Sequence, residues 1–322
     1  MTNTKWSAFD LVEAYQLSRA VAVLNDLNVF ESEKPFTARK LAAKHGLDLK
    51  LLAGVLEYVA LRTELLRETA RGKFAATRNA SRFLIDLYTG AYGSTADQLL
   101  HILRDPELAP ASVDRVRYAR AFNSLDSTAQ GILPDVVSAL EFNYTLDLGC
   151  GNGDLLLELA RRDAEFVGWG IDSNPAMLKV ARSRAAGTGK RVQFLEADCT
   201  RLRETVSTKI RSQIRSVTCC NVANEMFGHG ERQAIKWFRD LRKLFPGRAL
   251  LNCDYYGRLG RSKNRKLQRK TLLHDYAQLI SGQGVPPATR SEWRSIYSHA
   301  GCRLVHAIED TSTTRFIHII GL

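Results

Sequence analysis

No stretch of 18 or more apolar residues occurs in this 322-residue sequence, which excludes an ordinary membrane-spanning helix. The opening residues, MTNTKWSAFDLVEAYQ, lack the basic-then-apolar layout of a secretory signal, so a cytoplasmic protein is expected. No CxxC spacing relates the six cysteines, Cys150, Cys199, Cys219, Cys220, Cys253 and Cys302, and most sit in apolar runs as small buried hydrophobes do. Reduced thiols and no bound structural metal follow. Apolar residues at 45% and charged residues at 25% are ordinary for a globular chain, and the length suggests more than one domain.

The formal charge of +12 is uneven. Residues 1–95 hold 13 basic and 10 acidic side chains, whereas 258–270 (RLGRSKNRKLQRK) carry seven basic groups, Arg258, Arg261, Lys263, Arg265, Lys266, Arg269 and Lys270, and no acid. Such a run is either a solvated face or a docking surface for an anion: a carboxylate substrate, an acidic carrier protein or nucleic acid.

Along the chain, FDLVEAYQLSRAVAVLNDL has helical apolar spacing. In FTARKLAAKHGLDLKLLAGVLEYVALRTELL, Thr37 suits a helix N-cap and Gly46 a helix end. Arg71 and Gly72 suit a hairpin turn. Helix, turn, helix and hairpin make residues 1–95 a winged-helix unit. Its second helix is mainly apolar, which favours packing over reading a DNA groove. Residues 96–143 read as a helical connector covering a cleft. From 144 to 322 the runs YTLDLGC, FVGWGID, RVQFLEAD, SVTCCNV and RALLNCDYY alternate with helical segments, and CRLVHAIEDTS and TTRFIHIIGL can close as an antiparallel edge hairpin. The pattern predicts an α/β domain with a doubly wound, Rossmann-like sheet of seven strands.

In TLDLGCGNGDLLLELA the bare glycines Gly149, Gly151 and Gly153 stand between a strand and a helix, where a ligand can approach the backbone. The next strand ends in GIDSN, placing Asp172 23 residues beyond Gly149, near the spacing at which an acid meets ribose hydroxyls. A third strand ends in EADC, where Asp198 can accept from an adenine amine beside the Cys199 backbone. The glycine spacing GCGNG departs from the GxGxxG of nicotinamide sites. Asp147, Gly149, Gly151, Asp172, Ser173, Asp198, Cys199 and Asn221 are the candidate cofactor residues.

Carried by DLGCGNG, Asp172 and Asp198, residues 144–322 resemble the class I S-adenosylmethionine (SAM)-dependent methyltransferases. With the N-terminal unit included, nearly the whole chain is similar to the small-molecule O-methyltransferases. That resemblance implies SAM as cofactor, a small-molecule substrate and a homodimer whose N-terminal module helps close the pocket.

In that family the fourth strand leads to a segment often reading LHDW, whose histidine takes the proton of the substrate hydroxyl. Here it reads ANEM, with Asn224 at the histidine position and Glu225 at the aspartate position. An amide is no general base. His229, in GHG, reads as an exposed turn residue. The chain also resembles relatives that methylate the carbon beside the ketone of a 2-oxo acid, some through an iron held by that His-Asp pair and a later histidine. His274 in LLHDYAQLISGQGVPP stands at the later position, but Asn224, Glu225 and His274 are a poor donor set, and no metal is expected.

Two substrates suit a site without a base. One is an enolisable 2-oxo acid, steered by Glu225 or His274. The other is SAM itself, closing to azetidine-2-carboxylic acid and methylthioadenosine as the azetidine-2-carboxylate synthases of this fold do, with Asn224, Tyr255 and Tyr256 lining the sulfonium. Nucleic-acid methylation would call for NPPY-like or paired-cysteine motifs, which NVANEMF lacks. A SAM-sensing DNA-binding regulator is the remaining alternative.

Overall fold

The computed structural model describes residues 6–123, 131–259, 269–310 and 314–322. Four cations of the basic run, Arg261, Lys263, Arg265 and Lys266, lie outside the described residues. Two compact units are present, one formed by Met1–Asp97 with Val113–Leu125 and the other by Gln98–Ser112 with Asp126–Leu322.

In the first unit, helix α1 (Ala8–Asp26) starts at a capping box. The Ser7 hydroxyl accepts from the Asp10 amide at 3.1 Å, and the Asp10 carboxylate accepts from the Ser7 amide at 2.8 Å. Strand β1 (Phe36–Thr37) runs into helix α2 (Ala38–His45), which Thr37 caps and which ends at Gly46, where φ is +65°. Helix α3 (Leu49–Arg62) is capped by Asp48. The hairpin of β2 (Leu66–Ala70) and β3 (Lys73–Ala76) turns at residues 71–72. Together the strands form a sheet in the order β1-β3-β2. Leu24 of α1, Leu56 and Val59 of α3 and Phe74 of β3 meet in its core. Burying each such side chain contributes roughly 1.5–3 kcal/mol.

The second unit is built on seven strands in the order β6-β5-β4-β7-β8-β10-β9. These are β4 (Tyr144–Leu148), β5 (Val167–Asp172), β6 (Val192–Glu196), β7 (Ser216–Cys220), β8 (Ala249–Tyr255), β9 (Arg303–Asp310) and β10 (Arg315–Gly321). Strands β4 to β8 are parallel, while β10 runs antiparallel to β8 and β9. The two final runs therefore form the edge hairpin their spacing suggested. Because the chain leaves β4 toward β5 and β6 and returns to its other side at β7, the strand order reverses there, and a doubly wound sheet opens its ligand crevice at such a reversal.

Helices cover both faces. The helix Glu231–Leu244 buries Ala234, Trp237, Phe238 and Leu241, the stripe expected of an amphipathic helix. With Trp293 and Tyr297 it packs on Leu146, Val217, Leu250 and Phe316. On the opposite face Leu155, Leu156, Leu159 and Leu178 cover Leu251, Cys253 and Ile317. Neighbouring residues of β8 thus belong to different cores, as strand alternation requires.

One polar chain crosses the first of these cores. Asn252 Nδ2 donates to the Tyr297 hydroxyl at 3.0 Å, so the Tyr297 proton is free to meet His318 Nδ1, also at 3.0 Å. The Tyr256 hydroxyl donates to Glu309, and its oxygen lies 3.1 Å from His318 Nε2, which must then carry the ring proton. All donors point toward the Glu309 carboxylate. His318 is fully buried, and burial pushes its pKa down to about 3, keeping the imidazole neutral.

Candidate functional site

Gly149 and Gly151 leave β4 in left-handed conformations, with φ of +65° and +55°. A Cβ on Gly149 would lie 2.3 Å from Val222 Cγ2. Only a bare backbone fits there. The Gly151 amide donates to Asp172 Oδ2 at 2.9 Å and the Asn174 amide to Oδ1 at 2.7 Å. The carboxylate at the end of β5 is thereby fixed beside the glycine loop. Ser173 follows it, exposed.

At the end of β6, Asp198 is exposed and takes the Thr200 amide and hydroxyl on one oxygen, both at 2.7 Å. The Cys199 carbonyl accepts from Trp237 Nε1 at 3.1 Å, tying this tip to the helix beneath. Burial raises the Cys199 thiol well above its usual range, so that side chain is inert. Asp147 lies inside the sheet, where the Thr218 hydroxyl donates to it at 2.7 Å and burial pushes its carboxyl up to about 7. Three adjacent strand tips therefore offer bare backbone and two fixed carboxylates, acceptors suited to ribose hydroxyls and an adenine amine.

Residues 145–243 match the sequence family described as "Methyltransferase domain". The chain carries a SAM-dependent methyltransferase domain. A curated relative, the methyltransferase ungE' of Aspergillus campestris, is 28% identical over 179 residues, 52% of this chain and 50% of its own length. The chain spans about half the length of that relative and less of the other curated relatives it matches. The fold of the mitomycin 7-O-methyltransferase MmcR is similar over 97% of this chain and 96% of that one, with a TM-score of 0.73 at 19% identity. The S-adenosylhomocysteine-bound CalO1 methyltransferase of calicheamicin biosynthesis covers the same shares, with a TM-score of 0.61 at 19% identity. SAM is the cofactor of this methyltransferase domain, and the glycine loop with Asp172 and Asp198 fits its nucleoside. No helix of the described residues is long and apolar enough to cross a membrane.

Beyond β7, Asn221 takes a left-handed turn with φ of +54°, and its side-chain oxygen accepts from Arg315 Nη2 at 2.7 Å. The following turn, Ala223–Phe227, buries Asn224 almost completely. The Asn224 amide N–H donates to Asp254 Oδ2 at 2.9 Å, and its side-chain Nδ2 donates to Gln278 Oε1 at 3.0 Å. Asn224 Oδ1 is buried without a hydrogen-bond partner among the described residues. Glu225 is held by Gln283 Nε2 at 2.9 Å. Asp254, which also receives the Tyr255 amide at 2.9 Å, is driven by burial up to about 7.

His274 and Gln278 are one helical turn apart on Arg269–Ile280. The His274 ring lies 5.1 Å from that of Tyr255, and burial, then the Arg315 cation, pushes its imidazole down to about 4. Tyr255 and Tyr256 do not line a common wall. Tyr256 lies on the other face of β8 with Phe316 and spends its hydroxyl on Glu309 and His318, which removes it from the proposed sulfonium wall. His229 is exposed, as its turn suggested. Among the described residues no three His, Cys, Asp or Glu side chains group for a metal ion.

Sequence reading missed Asp254, Gln278, Gln283 and Arg315. The carboxylate of Asp254 sits in an apolar strand, ALLNCDY, and that isolated acid was the one available signal.

Proposed function

We propose that the chain transfers the methyl group of SAM to a small carboxylate, most simply a 2-oxo acid that reacts through its enol. One observation carries this reading. At the turn where a phenol methyltransferase would present a base stands Asn224, buried, with its backbone on Asp254 and its side chain on Gln278. No histidine base comes from that turn, and its one carboxylate, Glu225, is a weaker base already held by Gln283, so a substrate that is already acidic is favoured.

When bound, SAM supplies an electrophilic methyl group on sulfur. The chain's own task is to hold the acceptor in line, which can supply effective molarities of roughly 10⁵ M or more. Asp172 and Asp198 hold the nucleoside. Tyr255 walls the pocket, and Glu225, fixed by Gln283, receives the enol proton, with the neutral His274 imidazole orienting the same oxygen. Bound in that position, SAM would give its methyl group to the enol carbon, one carbon–carbon bond replacing one sulfur–carbon bond, while Glu225 holds the proton.

The missing base also favours ring closure of SAM on its own amine. Mass spectrometry of protein incubated with SAM alone separates the two: methylthioadenosine with a cyclic amino acid supports closure, whereas SAM consumed only when a 2-oxo acid is added, leaving S-adenosylhomocysteine, supports transfer. Asn224→Ala should lower kcat at least tenfold while leaving cofactor affinity within about twofold, since the residue orients and does not bind the nucleoside. An unchanged kcat removes Asn224 from the site.

We read the chain as a homodimer, because α1 exposes Phe9, Leu11, Val12 and Tyr15 along its first turns. A SAM-sensing DNA regulator is not favoured, since α3 carries only two cations, Lys50 and Arg62, and Arg62 is already spent on Glu13 at 2.7 and 2.8 Å. An acidic carrier protein would have to meet the basic run 258–270, most of which lies outside the described residues.

A further inference from the structure

We propose that Arg315 is the cation of a carboxylate-binding subsite above the C-terminal ends of β7 and β8, its guanidinium oriented by the side chain of Asn221. Arg315 opens β10 and pairs with Tyr255, the last residue of β8, in the sheet register. Strand alternation puts Arg315, Tyr255 and Cys253 on one face, above the end of β7.

The side chain keeps solvent access, yet enough protein surrounds the guanidinium that desolvation opposes its charge. Both hold together for a group lining a concave surface. Arg315 forms no ion pair among the described residues. Asp254 lies near enough to be felt, but its two oxygens are taken by the amides of Asn224 and Tyr255. The groups that do touch the guanidinium are the Asn221 amide oxygen, at 2.7 Å, and the Cys253 sulfur. A guanidinium has five N–H donors in a fork that matches a carboxylate, so most of them remain unused. Cys220, Cys253 and Asp254 offset the desolvation and keep the group charged, so it can offer its remaining donors to an incoming carboxylate.

The flanking backbone reinforces this. Thr314, immediately before Arg315, has φ of +63°, and Asn221 has φ of +54°. Asparagine tolerates the left-handed region, but for a β-branched threonine it is costly. Both left-handed residues lie at the Asn221–Arg315 contact. The Tyr256 amide holds the Thr314 carbonyl at 2.9 Å.

The carboxylate has two possible sources, the acceptor or the methionyl end of the cofactor, and the second rests on the SAM reading above. Calorimetry on the full chain separates them, using phenylpyruvate, its methyl ester, S-adenosylhomocysteine and methylthioadenosine. Wild-type protein should bind phenylpyruvate at least tenfold more tightly than the uncharged ester if the acceptor supplies the anion. Arg315→Gln should then abolish that preference, while Arg315→Lys keeps part of it. If the cofactor supplies the anion, Arg315→Gln should weaken S-adenosylhomocysteine at least tenfold and leave methylthioadenosine unchanged. The proposal is overturned if wild-type protein does not distinguish acid from ester and a folded Arg315→Gln, verified by circular dichroism, binds both nucleosides as wild type does. Should Arg315→Gln not fold, Arg315→Lys serves instead, and an acid-to-ester ratio and S-adenosylhomocysteine affinity both unchanged from wild type overturn it too. Failure of wild-type protein to bind either nucleoside would instead sink the cofactor reading, leaving the acid-to-ester ratio to judge Arg315.

Discussion

Gly149→Ala tests the cofactor loop by steric argument alone. At φ of +65° an alanine pays roughly 1–2 kcal/mol for left-handed backbone. Its Cβ would also stand 2.3 Å from Val222 Cγ2, far inside the ~3.5–4.0 Å at which carbon atoms attract. Val222 is buried and β-branched, so it has little freedom to rotate away, and such overpacking costs about 1–3 kcal/mol. The sum is about 2–5 kcal/mol. Urea denaturation measures it, and calorimetry with S-adenosylhomocysteine should show weakened binding in whatever fraction stays folded. The two parts are separable in a double-mutant cycle with Val222→Ala, where the smaller neighbour relieves the clash and leaves the backbone part. Gly149→Ala should therefore cost about 1–3 kcal/mol less in that background. A single variant within about 0.5 kcal/mol of wild type, or a strictly additive cycle, refutes the reasoning.

Asp254→Asn should expose the protonation of the buried carboxyl through stability. Asp254 titrates near 7 when folded and near its ordinary 3.8 when unfolded, so the folded state binds the proton more tightly. Its contribution to stability is therefore present at low pH and lost as pH rises toward 7. Relative to the variant, wild type should gain roughly 3 kcal/mol between pH 8 and pH 5, and a pH-independent difference excludes a buried neutral Asp254. Trp237→Phe removes the indole donor from the Cys199 carbonyl at the β6 tip. Losing about 0.5–1.5 kcal/mol of positioning should weaken S-adenosylhomocysteine twofold to tenfold, and unchanged affinity shows that the tip stands without it.

The sheet and the glycine loop were legible because they rest on local pattern. Apolar runs closed by GCGNG, GIDSN and EADC announce strand ends, and Gly149 and Gly151 stand where bare backbone is needed. The catalytic half was less legible because its contacts join residues distant in sequence. Asn224 meets Gln278, 54 residues on, and Asn221 meets Arg315, 94 residues on. Nothing near Arg315 in TTRFIHIIGL distinguishes it from an ordinary edge-strand cation. Tyr255 and Tyr256 failed as a pair for a local reason: adjacent strand residues point to opposite faces.

That alternation along β8 also explains how one strand serves two unlike environments. Asn252 and Tyr256 join a chain of hydrogen bonds that runs through Tyr297 and His318 and ends on the Glu309 carboxylate. Buried polar groups paired in this way fix geometry and do no chemistry. Cys253 and Tyr255, one step over, meet Arg315 and His274 instead. Asp254 lies between these residues and couples the halves, because its carboxyl anchors both the turn that holds Asn224 and the backbone that presents Tyr255. Moving that carboxyl by even one hydrogen bond would shift the amide position and the pocket wall together, which makes Asp254 a positioning residue for both.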